Sequence, residues 1–242
     1  GARAARAVLA RPEDFRMTLS RRDLEQNRMS ALYTSATKRT ALTAEQLSAS
    51  LTATLAAKPK GAGWWVFGYG SLLWNPLFPV AESQAATVRG LHRRFCLWSM
   101  ASRGTPEQPG LVLGLERGGA CRGLVFRLPA PLAVDELHLL WRREMVVGGY
   151  IPRWVNVDVG GAQRCALTFV VRRDHPHYTG KLDVAEQVRI LNCACGAFGS
   201  SRDYLNHTRA ALATHGIVDR YLETLAARLE SPAPLSATAG VA

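Results

Sequence analysis

The chain has 242 residues, 48% of them hydrophobic, enough to bury a full core as one large domain or one domain with an appendage. No uncharged apolar run reaches the roughly 18 residues that would suggest a membrane span. The formal net charge of +11 raises nucleic acid or anionic lipid as partners, but no helix-turn-helix, zinc finger or aromatic RNA-binding motif accompanies it, so no specific nucleic acid is expected.

Taken in chain order, residues 1–41 form an arginine-rich leader that is expected to be partly flexible. Residues 1–60 carry 11 basic and 5 acidic side chains, against 19 and 14 in residues 61–242, so relative to length the excess charge sits at the front. The first six residues have neither a methionine start nor an apolar signal core and read as upstream sequence, not a secretory signal. Residues 42–60 comprise an amphipathic helix from Leu42 to Ala57, with Leu47, Leu51 and Leu55 on one stripe and Thr43 as its cap, and then the turn-forming Lys58-Pro59-Lys60-Gly61-Ala62-Gly63. The main domain is expected over 61–230. Its first part holds short β-rich runs at Trp64–Phe67, Ala85–Trp98, Leu111–Leu115, Cys121–Leu128, Trp154–Val159 and Arg164–Val171. Arg117-Gly118-Gly119-Ala120 reads as the clearest hairpin turn between them. Residues 183–230 return to helical spacing, broken near Gly196-Ala197-Phe198-Gly199 and at Gly216, and residues 231–242 read as a flexible tail. This order predicts an α+β fold, a small twisted or barrel-like sheet with helices packed outside it. Removing residues 1–40 is then expected to leave every part of the site in place.

The five cysteines, Cys96, Cys121, Cys165, Cys193 and Cys195, show no disulfide framework and read as reduced thiols of a cytoplasmic protein. Cys193-Ala194-Cys195 could be half a metal site, but His175, His177 and His207 do not complete a ligand pattern, so no metal is expected.

Two segments carry candidate chemistry. In Trp64-Trp65-Val66-Phe67-Gly68-Tyr69-Gly70-Ser71-Leu72-Leu73-Trp74 an apolar strand runs into a glycine turn. Its backbone N–H groups could form a concavity for a carboxylate or another anion. A β-branched residue at Gly70 is expected to resist the positive φ of such a turn. The spacing fits neither a P-loop nor a dinucleotide fingerprint, and Asn75-Pro76 stands where a following helix would have to run. Such a loop alone is also consistent with a plain strand-end turn. The second segment is a helix between Pro131 and Met145, whose stripe gathers Val134, Leu137, Leu140, Trp141 and Met145 with Glu144 in their midst. Arg142, Arg143 and Glu136 project elsewhere. A carboxylate on a core-facing stripe has its pKa raised toward the range useful for acid/base work. Helix-end glutamates are also often merely solvated, and both readings stay open at this point. Gly148-Gly149-Tyr150 gives an exit that could bring Tyr150 and the carboxylate to a common pocket.

These residues resemble the ChaC-type γ-glutamylcyclotransferases, in their bacterial form, from about Leu42 to the end of the last helix. The resemblance is carried by Trp65 to Pro76, by Arg103-Gly104-Thr105 with Gln108-Pro109-Gly110, by Trp141-Arg142-Arg143-Glu144-Met145 with Gly149-Tyr150, and by Asp203-Tyr204-Leu205. It implies a small β-barrel with surrounding helices. It also implies cofactor-independent cleavage of glutathione to 5-oxoproline and Cys-Gly, with Glu144 as acid/base. The γ-glutamyl group would be held by Val66, Phe67, Gly68, Tyr69, Gly70, Ser71 and Leu72, with Tyr150 nearby, and Arg103 is a candidate for the terminal carboxylate. Residues 1–30 have no counterpart in that pattern. Ser200-Ser201 replace an expected Gly-Thr-Asn-like pair, a change expected to touch only a helix cap. Other γ-glutamyl amino acids as substrates, a non-enzymatic regulator linked to cation transport and a charge-driven nucleic-acid binder remain the competing expectations.

Overall fold

The computed structural model describes residues 18–231. The first 17 residues of the leader and all but the first residue of the predicted tail lie outside the described residues. Among the described residues no helix is long and apolar enough to cross a membrane.

At the centre is a closed barrel of five strands in the order β1-β3-β2-β4-β5, where β1 is Trp65–Gly68, β2 Glu82–Ser99, β3 Gly110–Arg127, β4 Tyr150–Val159 and β5 Ala162–Val171. Parallel contacts of β5 with β1 (Val66 opposite Leu167) and with β3 (Leu115 opposite Val170) close it. Closure leaves no long free edge to β1, which is buried at every position, as its uninterrupted apolar run requires.

The predicted hairpin turn at Arg117–Ala120 is a correction. β3 runs through it without interruption, antiparallel to β2 from Gly110 to Arg127. Gly118 and Gly119 do take positive φ, 103° and 65°, but Gly90 on the facing strand does so too, at 77°. The register slips between Arg89 and Leu91, so these glycines form a bend in a long two-stranded ribbon. Such a bend lets two 18-residue strands follow the curve of a small barrel. The tight hairpin falls instead at Gly160-Gly161, both at positive φ, between β4 and β5.

Helices surround the barrel. α1 (Arg21–Glu25) and α2 (Arg28–Thr37) form within the stretch read as leader, and α3 (Ala44–Ala56) follows with the predicted Thr43 cap, completed by Gln46 as a capping box. α4 (Ala133–Glu144) has Asp135 and Glu136 in its first turn and Arg142 and Arg143 in its last, an arrangement that complements the helix dipole. α5 (Val184–Cys193), α6 (Ser201–Ala213) and α7 (Arg220–Glu230) close the far side, with the two-residue strands β6 (Cys195–Gly196) and β7 (Gly199–Ser200) between α5 and α6.

The predicted face of α4 is only partly right. Leu137, Leu140, Trp141 and Met145 are buried, but Val134 is 41% exposed, while Glu136 and Arg143, expected to point elsewhere, are buried. Glu136 is covered because Arg21 of α1 lies over it in a two-pronged ion pair of 2.7 and 2.9 Å. A pattern of apolar residues cannot reveal a face that is covered by a charge partner from a distant helix.

Candidate active site

Three elements meet around one cavity: the turn after β1, the C-terminal end of α4 and the start of β4. The turn's geometry is fixed mostly from behind. Arg93, buried, donates Nε–H to the Tyr69 carbonyl and Nη2–H to the Arg122 carbonyl, and its charge is met by Asp219 at the cap of α7. Leu73 N–H closes a turn onto the Gly70 carbonyl at 2.9 Å, starting the 3₁₀ turn Ser71–Leu73.

Gly70 has φ −131°, so the expected positive φ is corrected. Its need for glycine comes from close approach. A Cβ there would lie 2.6 Å from the Tyr204 hydroxyl, and one at Gly68 would lie 2.8 Å from the Phe126 ring. Tyr204, from α6, accepts the Ser71 N–H at 3.2 Å, so one of the turn's donors is occupied and the tyrosine's own proton is free to point elsewhere.

Glu144 is the last residue of α4, and its side chain is 13% exposed. Burial raises its pKa, and the positive Arg143, with Nε 3.0 Å from Oε1, opposes the rise. Its place at the carbonyl end of a helix also disfavours the anion. Arg143 in turn donates Nη2–H to the Ser71 hydroxyl at 2.8 Å and Nη1–H to the Asn75 carbonyl. It therefore ties α4 to the glycine turn. Burial pushes its own pKa down and Glu144 pulls it back.

A small inner cavity is lined by Tyr69, Gly70, Ser71, Leu72, Leu113, Glu144, Tyr150, Phe169 and Tyr204. A larger outer cleft shares Ser71, Glu144, Tyr150 and Tyr204 with it and adds Trp74, Trp98, Arg103, Arg143, His177 and Phe198. The structure thus brings Tyr69, Gly70, Ser71, Leu72, Tyr150 and Glu144 to one cavity and Arg103 to the adjoining cleft. Val66, Phe67 and Gly68 line neither. Val66 and Phe67 are core side chains, and the Phe67 carbonyl accepts the Thr168 hydroxyl at 3.0 Å. The hydroxyls of Tyr69 and Tyr150 are turned onto backbone, donating to the Phe169 and Leu113 carbonyls at 2.7 and 2.8 Å. Burial raises both their pKa values and the nearby Glu144 adds to the rise, while the hydrogen bond from Tyr69 partly offsets it at Tyr150.

Arg103 sits in the loop between β2 and β3, where solvated surface is the ordinary fate of such a residue. Here it is only 5% exposed. Its guanidinium stacks over Trp74 and Tyr204 at 5.6 and 5.5 Å and donates to the Phe198 carbonyl. Among the described residues no carboxylate forms a salt bridge with it, and burial lowers its pKa. The loop is pinned by Ser201, whose hydroxyl donates to the Arg103 carbonyl at 3.1 Å and accepts the Leu111 N–H at 3.0 Å. The expectation that Ser200-Ser201 touch only a helix cap holds for Ser200, which caps α6 with Asp203, and is corrected for Ser201.

Sequence reasoning did not single out Arg143 or Tyr204 as site groups. The signal was present in the two motifs that contain them, but neither shares an apolar stripe with Glu144. The five cysteines carry free thiols, and among the described residues no group of three or more His, Cys, Asp or Glu is placed to hold a metal ion.

Comparison with known proteins places these features in context. A family model described as ChaC-like protein matches residues 64–231. The glutathione-specific γ-glutamylcyclotransferase of Escherichia coli (strain K12) is 40% identical over 183 residues, 75% of this chain and 79% of that one. The glutathione-specific γ-glutamylcyclotransferase 1 of Danio rerio is 33% identical over 146 residues, covering 58% and 74%. A crystal structure of a yeast γ-glutamyl cyclotransferase specific to glutathione superposes with a TM-score of 0.64 at 23% identity, over 70% of this chain and 96% of that one, which supports the same fold.

Proposed function

Since the chain belongs to the ChaC-like protein family, we propose that it cleaves glutathione to 5-oxoproline and Cys-Gly, with Glu144 as the acid/base. The observation that carries this reading is a single carboxylate, raised in pKa by burial, at the junction of an inner cavity and an outer cleft. The cavity suits the γ-glutamyl head and the cleft the remainder of the substrate.

In the reaction the substrate's α-amine attacks its own γ-carbonyl carbon, so both reacting groups arrive in one molecule and positioning is the main task. Unperturbed α-amines have a pKa of roughly 7.7–8.0, so near neutrality one proton must be removed and one later delivered to the departing amine. Glu144 would do both. The hydroxyl of Tyr204, with Ser71 N–H as its donor, has a proton to offer a substrate oxygen. The guanidinium of Arg103, stacked and in no salt bridge among the described residues, suits the terminal carboxylate. No step calls for a cofactor. Free thiols fit a reducing compartment, and the cytoplasm is part of this proposal.

The test is direct. Purified chain incubated with glutathione should yield 5-oxoproline and Cys-Gly in equal amounts, and no release above the uncatalysed rate would overturn the reading.

A further inference from the structure

We propose that the segment Leu19–Thr37, which precedes the region matched by the family model, forms the outer wall of the substrate cleft and selects the residue that follows the γ-glutamyl group, with Met29 and Leu32 as an apolar seat for that residue's side chain and Tyr33 as its polar limit. The inference rests on the γ-glutamylcyclotransferase reading and deepens it.

Leu19, Met29, Leu32 and Tyr33 line the same cleft as Ser71, Arg143 and Glu144, so the segment belongs to the site's surface as well as to the fold. It is held there at several separate points. Arg21 pairs with buried Glu136 and donates to the Leu77 carbonyl at 3.2 Å. Asn75, next to the glycine turn, donates Nδ2–H to the Leu19 carbonyl at 2.8 Å. Arg142 reaches the Glu25 carbonyl at 3.0 Å, and the Tyr33 hydroxyl lies 3.1 Å from His177 Nε2. Four anchors on three different stretches of the main domain are more than a passing contact of a tail would need.

The chemistry of the walls then sorts the substrate. The charged side chains lining the cleft are Arg103, Arg143 and Glu144. His177 adds no charge near neutrality, because burial, with help from His175 and Arg39, pushes its pKa down to about 4. With the γ-glutamyl head at Glu144, a terminal carboxylate on Arg103, and Arg143 held by Glu144, Ser71 and Asn75, the side chain between them has no free charged partner to meet. The wall that α2 contributes offers a thioether, a leucine and one hydroxyl. That surface suits a small polarisable side chain such as the cysteinyl thiol and rejects a charged one.

The experiment uses the full chain carrying Leu32→Trp, which fills the seat. Its steady-state kinetics with glutathione are compared with those for γ-glutamylglycylglycine, a tripeptide of equal length with no middle side chain, followed as substrate or as competitor. The expected result is a KM for glutathione raised about tenfold, with kcat within about threefold and a much smaller change for the glycyl analogue. Equal shifts for both compounds, or none in a protein that melts cooperatively, would overturn the proposal. Should Leu32→Trp not fold, Met29→Ala and Tyr33→Phe decide: both should narrow the preference for glutathione over the analogue, and an unchanged preference counts against the wall. A wild-type chain inactive on every γ-glutamyl compound would overturn the enzymatic reading itself, a distinct outcome.

Discussion

At the scale of single residues, Glu144 and Arg143 act on each other through one contact of 3.0 Å, and the sign of that coupling makes a prediction. A base must be ionised to accept a proton, so a raised Glu144 pKa moves the acid limb of the kcat/KM profile above the ordinary glutamate value of about 4.3. Arg143 lowers that pKa, so Arg143→Met should move the limb to still higher pH. A limb that stayed put or moved to lower pH would show that the pair is not coupled in the free enzyme. Glu144→Gln keeps the side chain's size but cannot accept the amine proton, and should lower kcat by about 10²–10⁴-fold in a protein of normal melting behaviour. Retention of more than a tenth of wild-type activity would assign Glu144 a structural role only. The contact at Gly70 is tested by a pair of changes. Gly70→Ala should weaken substrate binding, because its Cβ meets the Tyr204 hydroxyl at 2.6 Å, whereas the nearest ring carbon, Cζ, is 3.7 Å away. Adding Tyr204→Phe removes the colliding atom, so the double variant should bind better than the Gly70→Ala single one. Additive losses in the double-mutant cycle would mean that the two residues do not meet.

At the scale of elements, the sequence was informative wherever one element's own periodicity decides its placement. The leucine stripe and Thr43 cap of α3, the apolar run of β1 and the buried Leu137, Leu140, Trp141 and Met145 of α4 are properties of ten or so adjacent residues, and they appear in the structure where spacing puts them. Legibility ends where a partner from far along the chain decides. Glu136 looks like a solvated helix residue until Arg21, 115 positions earlier, covers it. Tyr204 reaches Ser71 across 133 positions, and Arg103 is buried because Trp74, Tyr204 and Phe198 converge on it. The double glycine at 118–119 misled for a related reason: positive φ serves a bend as well as a hairpin, and only the facing Gly90 distinguishes them. The Arg21–Glu136 pair gives this scale its test. Arg21 is 43% exposed and Glu136 5%, so losing the arginine leaves a buried carboxylate short of partners while opening some path for water. Arg21→Ala should therefore cost about 1–3 kcal/mol in urea unfolding, and Glu136→Gln added to it should recover part of that. An unchanged midpoint in Arg21→Ala would mean that α1 contributes nothing to the stability of α4.

At the scale of the whole molecule, the question is where the functional unit begins. A boundary at residue 41, drawn from composition, would make residues 18–37 dispensable; the structure rests them on α4 and puts four of their side chains or neighbours into the cleft wall. Two truncations separate these views. Removing residues 1–17 deletes none of the contacts described and serves as the reference for the longer truncation. Removing residues 1–40 takes away Leu24, a side chain 2% exposed whose burial is worth about 1.5–3 kcal/mol, and uncovers Glu136. For a chain of this size each kcal/mol corresponds to about 2–4 °C, so the melting temperature should fall by about 5 °C or more. Glu144, Arg143, Ser71 and Tyr204 all remain, so turnover should persist at saturating substrate while KM rises. The measurements are a calorimetric melt and initial rates across glutathione concentrations for both truncations. If the longer truncation matched the full chain in melting temperature and in KM, the helices would be an appendage and the boundary at 41 would stand. If it lost kcat as well while still melting cooperatively, α1 and α2 would be positioning the acid/base through α4, and the unit of catalysis would begin at Leu19.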